Sequence, residues 1–172
     1  MRVLKFSLAV LATLLAAACV VVLIWPTAVP GKSAAEKATD RDLAVQVAAT
    51  RVTKALLDVD YKEMDPRIEK VLDLSTGTFR SQYKDASVNF KALAQQSGTV
   101  SSGSVRYVGI ADVDDDTAVA YVAADRRATD AETEKKRKAG EDVPDDVKGS
   151  RYQLTMSLVG GEWLLSDLEF VV

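Results

Sequence analysis

The sequence predicts an α+β domain behind a single membrane-spanning helix, with helices packed on one face of a curved antiparallel sheet of about four strands. Three observations predict it. A long apolar run opens the chain. From residue 33 to about residue 96, apolar residues recur at spacings of three and four. After Gly98 the period changes to two, and the chain ends in strands.

The apolar run is Phe6 to Trp25, in which only Ser7 and Thr13 are not apolar. Twenty helical residues rise about 30 Å, the thickness of a bilayer's hydrocarbon core. Arg2 and Lys5 precede the run, Trp25 closes it where an amphipathic ring suits the headgroup zone, and Pro26 stops the helix. Positive charge before the span, with none immediately after it, orients residues 1–5 to the cytoplasm and everything from about residue 26 outside the membrane. Ala16 and Ala18 offer a small-x-small cleavage site, and Ala16-Ala17-Ala18-Cys19 loosely fits a lipidation box. Processing at either would leave an end starting near Cys-Val-Val-Val-Leu-Ile-Trp, which is poor for a soluble protein. The anchor is therefore read as uncleaved, with Cys19 a small apolar residue facing lipid or a partner helix.

Residues 26–59 read as linker and stalk. Pro26 to about Lys32 is the linker, and Ser33 to Val59 is one helix with the stripe Val45, Ala48, Ala49, Val52, Ala55, Leu56 and Val59. Its Ala-rich, charged first half is expected to stand off the membrane. The domain proper is then 60–172. Asp65-Pro66 starts a short helix, with Asp at the cap and Pro at the first position. Ile68, Val71 and Leu72 form its inner face, and Gly77 ends it. A further helix from Thr78 to Gln96 carries Phe79, Tyr83, Ala86, Phe90 and Leu93 on one side, and Gly98 closes it.

Val100–Ala111 and Thr117–Ala124 are expected to pair across a turn at Asp112–Asp116. Tyr152, Leu154, Met156 and Leu158 alternate with polar residues, as in a strand with one wet face. Gly160-Gly161 signals a tight hairpin into a last strand, Glu162 to Val171, carrying Trp163, Leu165, Leu168 and Phe170. The change of phase at Ser166-Asp167 predicts a bulge. Residues 125–149, with Arg126-Arg127 and Glu134–Lys138, read as a long solvated loop or a partly helical excursion.

The 172 residues have a mean hydropathy of +0.00, the average of an apolar span and a polar remainder. With Arg2 and Lys5 set aside, 20 basic residues face 25 acidic ones, so the exported part carries −5. This balance argues against nucleic acid as a partner. Without His, Ser-His-Asp and Cys-His catalysis and His-ligated zinc are excluded, and a single Cys excludes an internal disulfide framework. Asp112, Asp114 and Asp116 have the odd spacing of a calcium loop. Thr117 and Ala123 stand where Gly and Glu are needed, so a solvated turn is read instead. Asp58 and Asp60 flank Val59 and are expected to point to solvent. No catalytic, metal or cofactor residues are assigned. Tyr83, Tyr107, Tyr121 and Tyr152 fall on inward or near-inward positions, where each buries a ring and finds one hydroxyl partner, or lines a lipid groove. The candidate cavity-lining set is Phe79, Tyr83, Phe90, Tyr107, Tyr121, Tyr152, Trp163 and Phe170.

The ordered set Asp58-Val59-Asp60-Tyr61, Leu74-Ser75-Thr76-Gly77-Thr78-Phe79-Arg80 with Tyr83, Val105–Ile110, Ala118-Val119-Ala120-Tyr121-Val122, and Gly161-Glu162-Trp163-Leu164-Leu165-Ser166-Asp167-Leu168 resembles the mammalian-cell-entry (Mce)-associated membrane proteins of actinobacteria. The resemblance covers essentially the whole chain. It implies one span, a helix, and an exported domain of the nuclear transport factor 2-like type. It also implies a non-enzymatic role beside Mce transporter subunits or other membrane proteins, stabilising or assembling a lipid-import complex without a cofactor. Inner-membrane scaffold proteins of type IV secretion share this topology, so a general scaffold also fits. The alternative expectation is an extracytoplasmic lipid or steroid binder with a cavity between helices and sheet.

Overall fold

The computed structural model describes residues 32–171. The expected cytoplasmic end (1–5), the expected span (6–25) and the linker up to Gly31 lie outside the described residues. No helix among the described residues is long and apolar enough to cross a membrane.

The chain divides between Lys37 and Ala38 into two units. In the first, Ser33 and Glu36 form a reciprocal capping box. The Ser33 amide donates to Glu36 Oε2 at 2.7 Å, and the Glu36 amide donates to Ser33 Oγ at 3.2 Å. The backbone bond from Ser33, then its hydroxyl, hold the Glu36 carboxyl below the usual carboxylate range.

Helix α1 is Ala34–Leu57, followed by the short strand β1, Val59–Asp60, and helices α2, Met64–Asp73, and α3, Gly77–Ser97. Strands β2, Val100–Val113, and β3, Thr117–Thr129, come next, then helix α4, Ala131–Lys138, and strands β4, Asp146–Val159, and β5, Glu162–Phe170. The five strands pair antiparallel in chain order. The α+β reading with helices on a curved antiparallel sheet therefore holds. The additional strand is β1, because the chain turns extended at Val59 to pair with Ser101.

The second half of α1 is not a free stalk. Val45, Ala49 and Val52 are fully buried against Ala118, Ala120 and Val122 of β3 and Leu154 and Met156 of β4. This part of the helix belongs to the core of the domain rather than to the segment before it. Its end is fixed on β2: Ser101 Oγ donates to the Leu57 carbonyl at 2.7 Å, and the Gly103 amide donates to Asp58 Oδ1 at 2.9 Å. Asp58 thus does not point freely to solvent. It closes the helix onto the sheet and also pairs with Lys54 at 3.4 Å.

Helix α2 begins at Met64, which is buried, so Pro66 sits inside the first turn rather than opening it. Asp65 makes no cap and instead binds Lys91 of α3. Gly77 begins α3 instead of ending α2, with φ +56. Gly98 ends α3 in the left-handed conformation, φ +66, as expected. The junction between α2 and α3 is stitched to β5: the Thr76 amide donates to the Leu165 carbonyl at 2.8 Å, and the Leu165 amide to the Leu74 carbonyl at 3.0 Å. Arg80 donates from α3 to the Leu72 and Ser75 carbonyls. Two of the segments that carry the family resemblance therefore meet here in space.

Gly160 and Gly161 both have positive φ, +61 and +89, and form the two-residue hairpin loop between Val159 and Glu162. The bulge falls at Ser166. Thr155 pairs with Asp167 and Met156 with Leu165, while Ser166 Oγ donates to the Thr155 carbonyl at 3.0 Å. The charged stretch is more ordered than a loop, because β3 and β4 stay paired out to Ala128 and Asp146. Ion pairs bridge this end, Arg106–Asp125 at 2.7 Å and Arg127–Asp145 at 3.3 Å. Beyond it stands α4, capped by Asp130 Oδ1, which accepts from the Thr133 amide at 2.8 Å. That backbone bond holds the Asp130 carboxyl below its usual range. No residue of α4 is buried, so the helix contributes nothing to the core.

Candidate functional site

Where the end of α1, the start of α3, the middle of β4 and the end of β5 converge, they leave a cavity of about 250 Å³. It is lined by Thr53, Leu56, Leu57, Phe79, Tyr83, Tyr152, Leu168 and Phe170. Helical spacing brings Thr53, Leu56 and Leu57 to it from one side. Phe79 and Tyr83, one turn apart on α3, stack with ring centroids 5.9 Å apart. Tyr152 and Phe170 are partners across β4 and β5, with centroids at 5.3 Å. No charged side chain lines the space. Burial raises the Tyr83 hydroxyl above its ordinary pKa, so it stays a neutral donor at physiological pH. Thr53 is 2% exposed, and its hydroxyl has no hydrogen-bond partner among the described residues.

Four of the eight expected lining residues therefore meet: Phe79, Tyr83, Tyr152 and Phe170. Phe170 faces inward but is 74% exposed, because it stands at the rim where the helices end. The other four lie elsewhere. Tyr121 points to the opposite face of the sheet, since its neighbours Ala120 and Val122 are the buried ones. Tyr107 is also turned out, because the register slips between Val105 and Tyr107. Val105 and Val108 both pack on the core, which leaves Arg106 and Tyr107 as the bulged pair between them. Phe90 lies farther along α3 and is exposed. Trp163 is buried but lines a groove beside α1. Leu56 and Leu168 were visible as apolar positions of their elements, whereas Thr53 and Leu57 lie off the apolar stripe of α1 and gave no sequence signal.

A second feature lies on the outside of α1. Leu43 and Val47, one turn apart, are each at least half exposed. They form a ridge between two open grooves. One groove runs along Leu74 and Trp163, the other along Val105 and Tyr107, and Arg51 borders both. Exposed apolar residues grouped in this way mark a contact surface more often than residues scattered singly.

The acidic turn behaves as a turn. The Asp114 amide donates to the Thr117 carbonyl at 2.8 Å, and Arg41 of α1 reaches the Asp114 carbonyl at 3.0 Å and Asp115 at 3.3 Å. Among the described residues, no group of three or more His, Cys, Asp or Glu side chains is placed to hold a metal ion.

A family model described as "Uncharacterized protein Rv1363c/MT1408-like" matches residues 5–172. The chain is 27% identical over 175 residues to "Uncharacterized protein Rv1363c" of Mycobacterium tuberculosis (strain ATCC 25618 / H37Rv). That match covers 99% of this chain but only 64% of the relative, so the chain spans less than two thirds of the curated relative's length. Among solved structures, an IcmL-like type IV secretion system protein from Legionella pneumophila superposes with a TM-score of 0.57 at 11% identity, covering 76% of this chain and 91% of its own. A putative aromatic ring hydroxylase from Novosphingobium aromaticivorans superposes with a TM-score of 0.54 at 12% identity, covering 78% and 91%. These likenesses show the fold alone, helices packed on a curved antiparallel sheet, over the described residues. Neighbours with such different names leave function to be argued from the sites.

Proposed function

We propose, given that the chain belongs to the Rv1363c/MT1408-like family, that it is a non-enzymatic, membrane-anchored accessory subunit that stabilises or assembles an Mce-type lipid-import complex from the extracytoplasmic side. The Mce assignment rests on the sequence resemblance, and the location rests on the apolar run Phe6–Trp25 with Arg2 and Lys5 before it. The observation that carries the protein-binding role is the exposed Leu43–Val47 ridge, apolar side chains presented on a helix that the core holds rigid from its inner face. Anchoring both partners in one membrane raises their effective concentration, so a contact of this modest size suffices.

The double substitution Leu43→Glu with Val47→Glu tests the ridge. Both side chains are already half in water, so folding and membrane association are expected to be unchanged. Transporter subunits are expected to be lost from a pull-down of the full-length variant. Undiminished recovery of those subunits would show that the ridge is not the contact.

The cavity favours a second reading, an extracytoplasmic binder of a small apolar ligand. At about 250 Å³ it falls below the roughly 300–1,000 Å³ of usual ligand pockets, which disfavours a whole steroid or a two-chain lipid.

A further inference from the structure

The two sides of the sheet are finished differently. On β2, beyond the residues that β1 covers, Asp58 and Lys54 take the amide and carbonyl of Gly103, and the register slips at Val105/Tyr107 and again at Ile110/Asp112. Side-chain plugs and bulges of this kind keep other strands off an edge. On the far side, β5 covers β4 only as far as Arg151, whose carbonyl accepts from the Val171 amide at 3.0 Å. Asp146 to Gly149 run on beyond it, all four exposed. Alternate residues of a strand turn their amide and carbonyl to the same edge. The Leu158 amide faces β3, where it donates to the Asp116 carbonyl at 2.8 Å, and Arg151 faces β5. The odd-numbered residues of this stretch therefore face the open edge. There the amides and carbonyls of Val147 and Gly149 have no hydrogen-bond partner among the described residues. A groove of about 500 Å³ lies beside them, bordered by Gly149, Arg151, Phe170 and Val171.

We propose that this open edge takes an added strand from another protein, an extended segment in which acidic side chains alternate with apolar ones. Main-chain hydrogen bonds to Val147 and Gly149 supply the pairing, and the side chains beside it set the class. Lys148 lies directly across from Arg126 on one face of the sheet. Like charges so placed repel, and an acidic residue of the added strand next to Lys148 relieves them. On the other face, Val147 is 48% exposed and offers apolar contact. The local carboxylates are already taken: Asp125 binds Arg106, Asp145 binds Arg127 and Arg137, and Asp146 lies 3.5 Å from Lys148. Arg126 and Arg151 have no carboxylate partner among the described residues. This excess of positive charge favours an acidic strand and opposes pairing with a second copy of the chain. The edge lies at the end of the sheet where α1 finishes, because Asp58 is fastened to Gly103, and Gly103, Arg126 and Lys148 are aligned across β2, β3 and β4. It is separate from the Leu43–Val47 ridge and does not depend on the role proposed for it.

Amide hydrogen exchange of the full-length protein in lipid nanodiscs, resolved to single residues, tests this. The probe is a synthetic end-capped peptide of alternating Val and Glu. It is expected to slow exchange at the Val147 and Gly149 amides, and the same peptide with Lys in place of Glu is expected to leave them unchanged. Val147→Pro removes an edge amide without touching the ladder to β3, so it should abolish protection at Gly149 and leave the unfolding midpoint little changed. Lys148→Glu, at an exposed position, should raise the peptide concentration for half-protection about fivefold. No protection at these amides, equal protection by the two peptides, or protection that persists in the Val147→Pro protein would overturn the proposal. So would protection that rises with protein concentration in the absence of peptide, which would make the edge a contact between copies. An unchanged half-protection concentration in the Lys148→Glu protein would overturn it even if Val147→Pro does not fold.

Discussion

Leu154→Ala is expected to lower the free energy of unfolding by about 2–5 kcal/mol. Leu154 has no exposed surface and lies in the middle of β4, paired with Ala120 on β3 and Leu168 on β5. Its neighbours on the inner face of β3 are Ala118, Ala120 and Val122, none larger than valine, and Val45, Ala49 and Val52 of α1 belong to the same core. Hydrogen-bonded strands on both sides hold the site open, so the surroundings have little freedom to collapse into the space that truncation leaves. Domain stabilities are about 5–15 kcal/mol, so this one change removes a large share. Chemical denaturation of the full-length protein, followed by tryptophan fluorescence, measures it. Trp163 is buried in the same core and reports the transition. A loss under about 1 kcal/mol would mean that the core is less tightly packed than described.

Gly103→Ala is the second large effect, and it acts by crowding rather than by loss. A Cβ at this position would lie 2.5 Å from Leu57 Cβ, an atom close to the backbone that cannot swing aside. Gly103 also gives its amide to Asp58, so the clash falls where α1 is fastened to β2. Relief requires the helix end to move, at a cost of about 1–3 kcal/mol. Gly149→Ala is the control. Its Cβ would meet only Asp125 Oδ1 at 3.4 Å, and stability there should change little. Equal effects from the two substitutions would argue against a close approach of α1 and β2 at Gly103.

The sequence was most legible where local chemistry and long-range packing agree. Gly160-Gly161 needs no tertiary partner to form its turn. Tyr152, Leu154 and Met156 alternate cleanly with polar residues, so their inner face is unambiguous. The break of phase at Ser166 identified the bulge because Leu165 and Leu168 are both apolar. The segment Thr117–Ala124 was harder. It is apolar in both phases, so the pattern alone does not say which face Tyr121 takes. The closeness of α1 gives the inner face to Ala118, Ala120 and Ala124. Tyr107 was displaced by a bulge that leaves no mark on the hydrophobic pattern. The ends of β3 and β4 were hidden by charge, because Asp125, Arg126 and Arg127 look like loop residues until cross-strand ion pairs with Arg106 and Asp145 are seen. Half of the aromatic set nevertheless converged on one cavity. Thr53, which joins the lining from α1, lies outside the apolar stripe and had no pattern to reveal it.

The role we propose for the protein is to hold a membrane lipid-import complex together. Quantitative mass spectrometry of membranes from a strain lacking the protein tests it most directly. A marked fall in the Mce-type transporter subunits, restored by the full-length protein but not by the Leu43→Glu, Val47→Glu variant, is the result expected. Normal levels of those subunits in the deletion strain would contradict it.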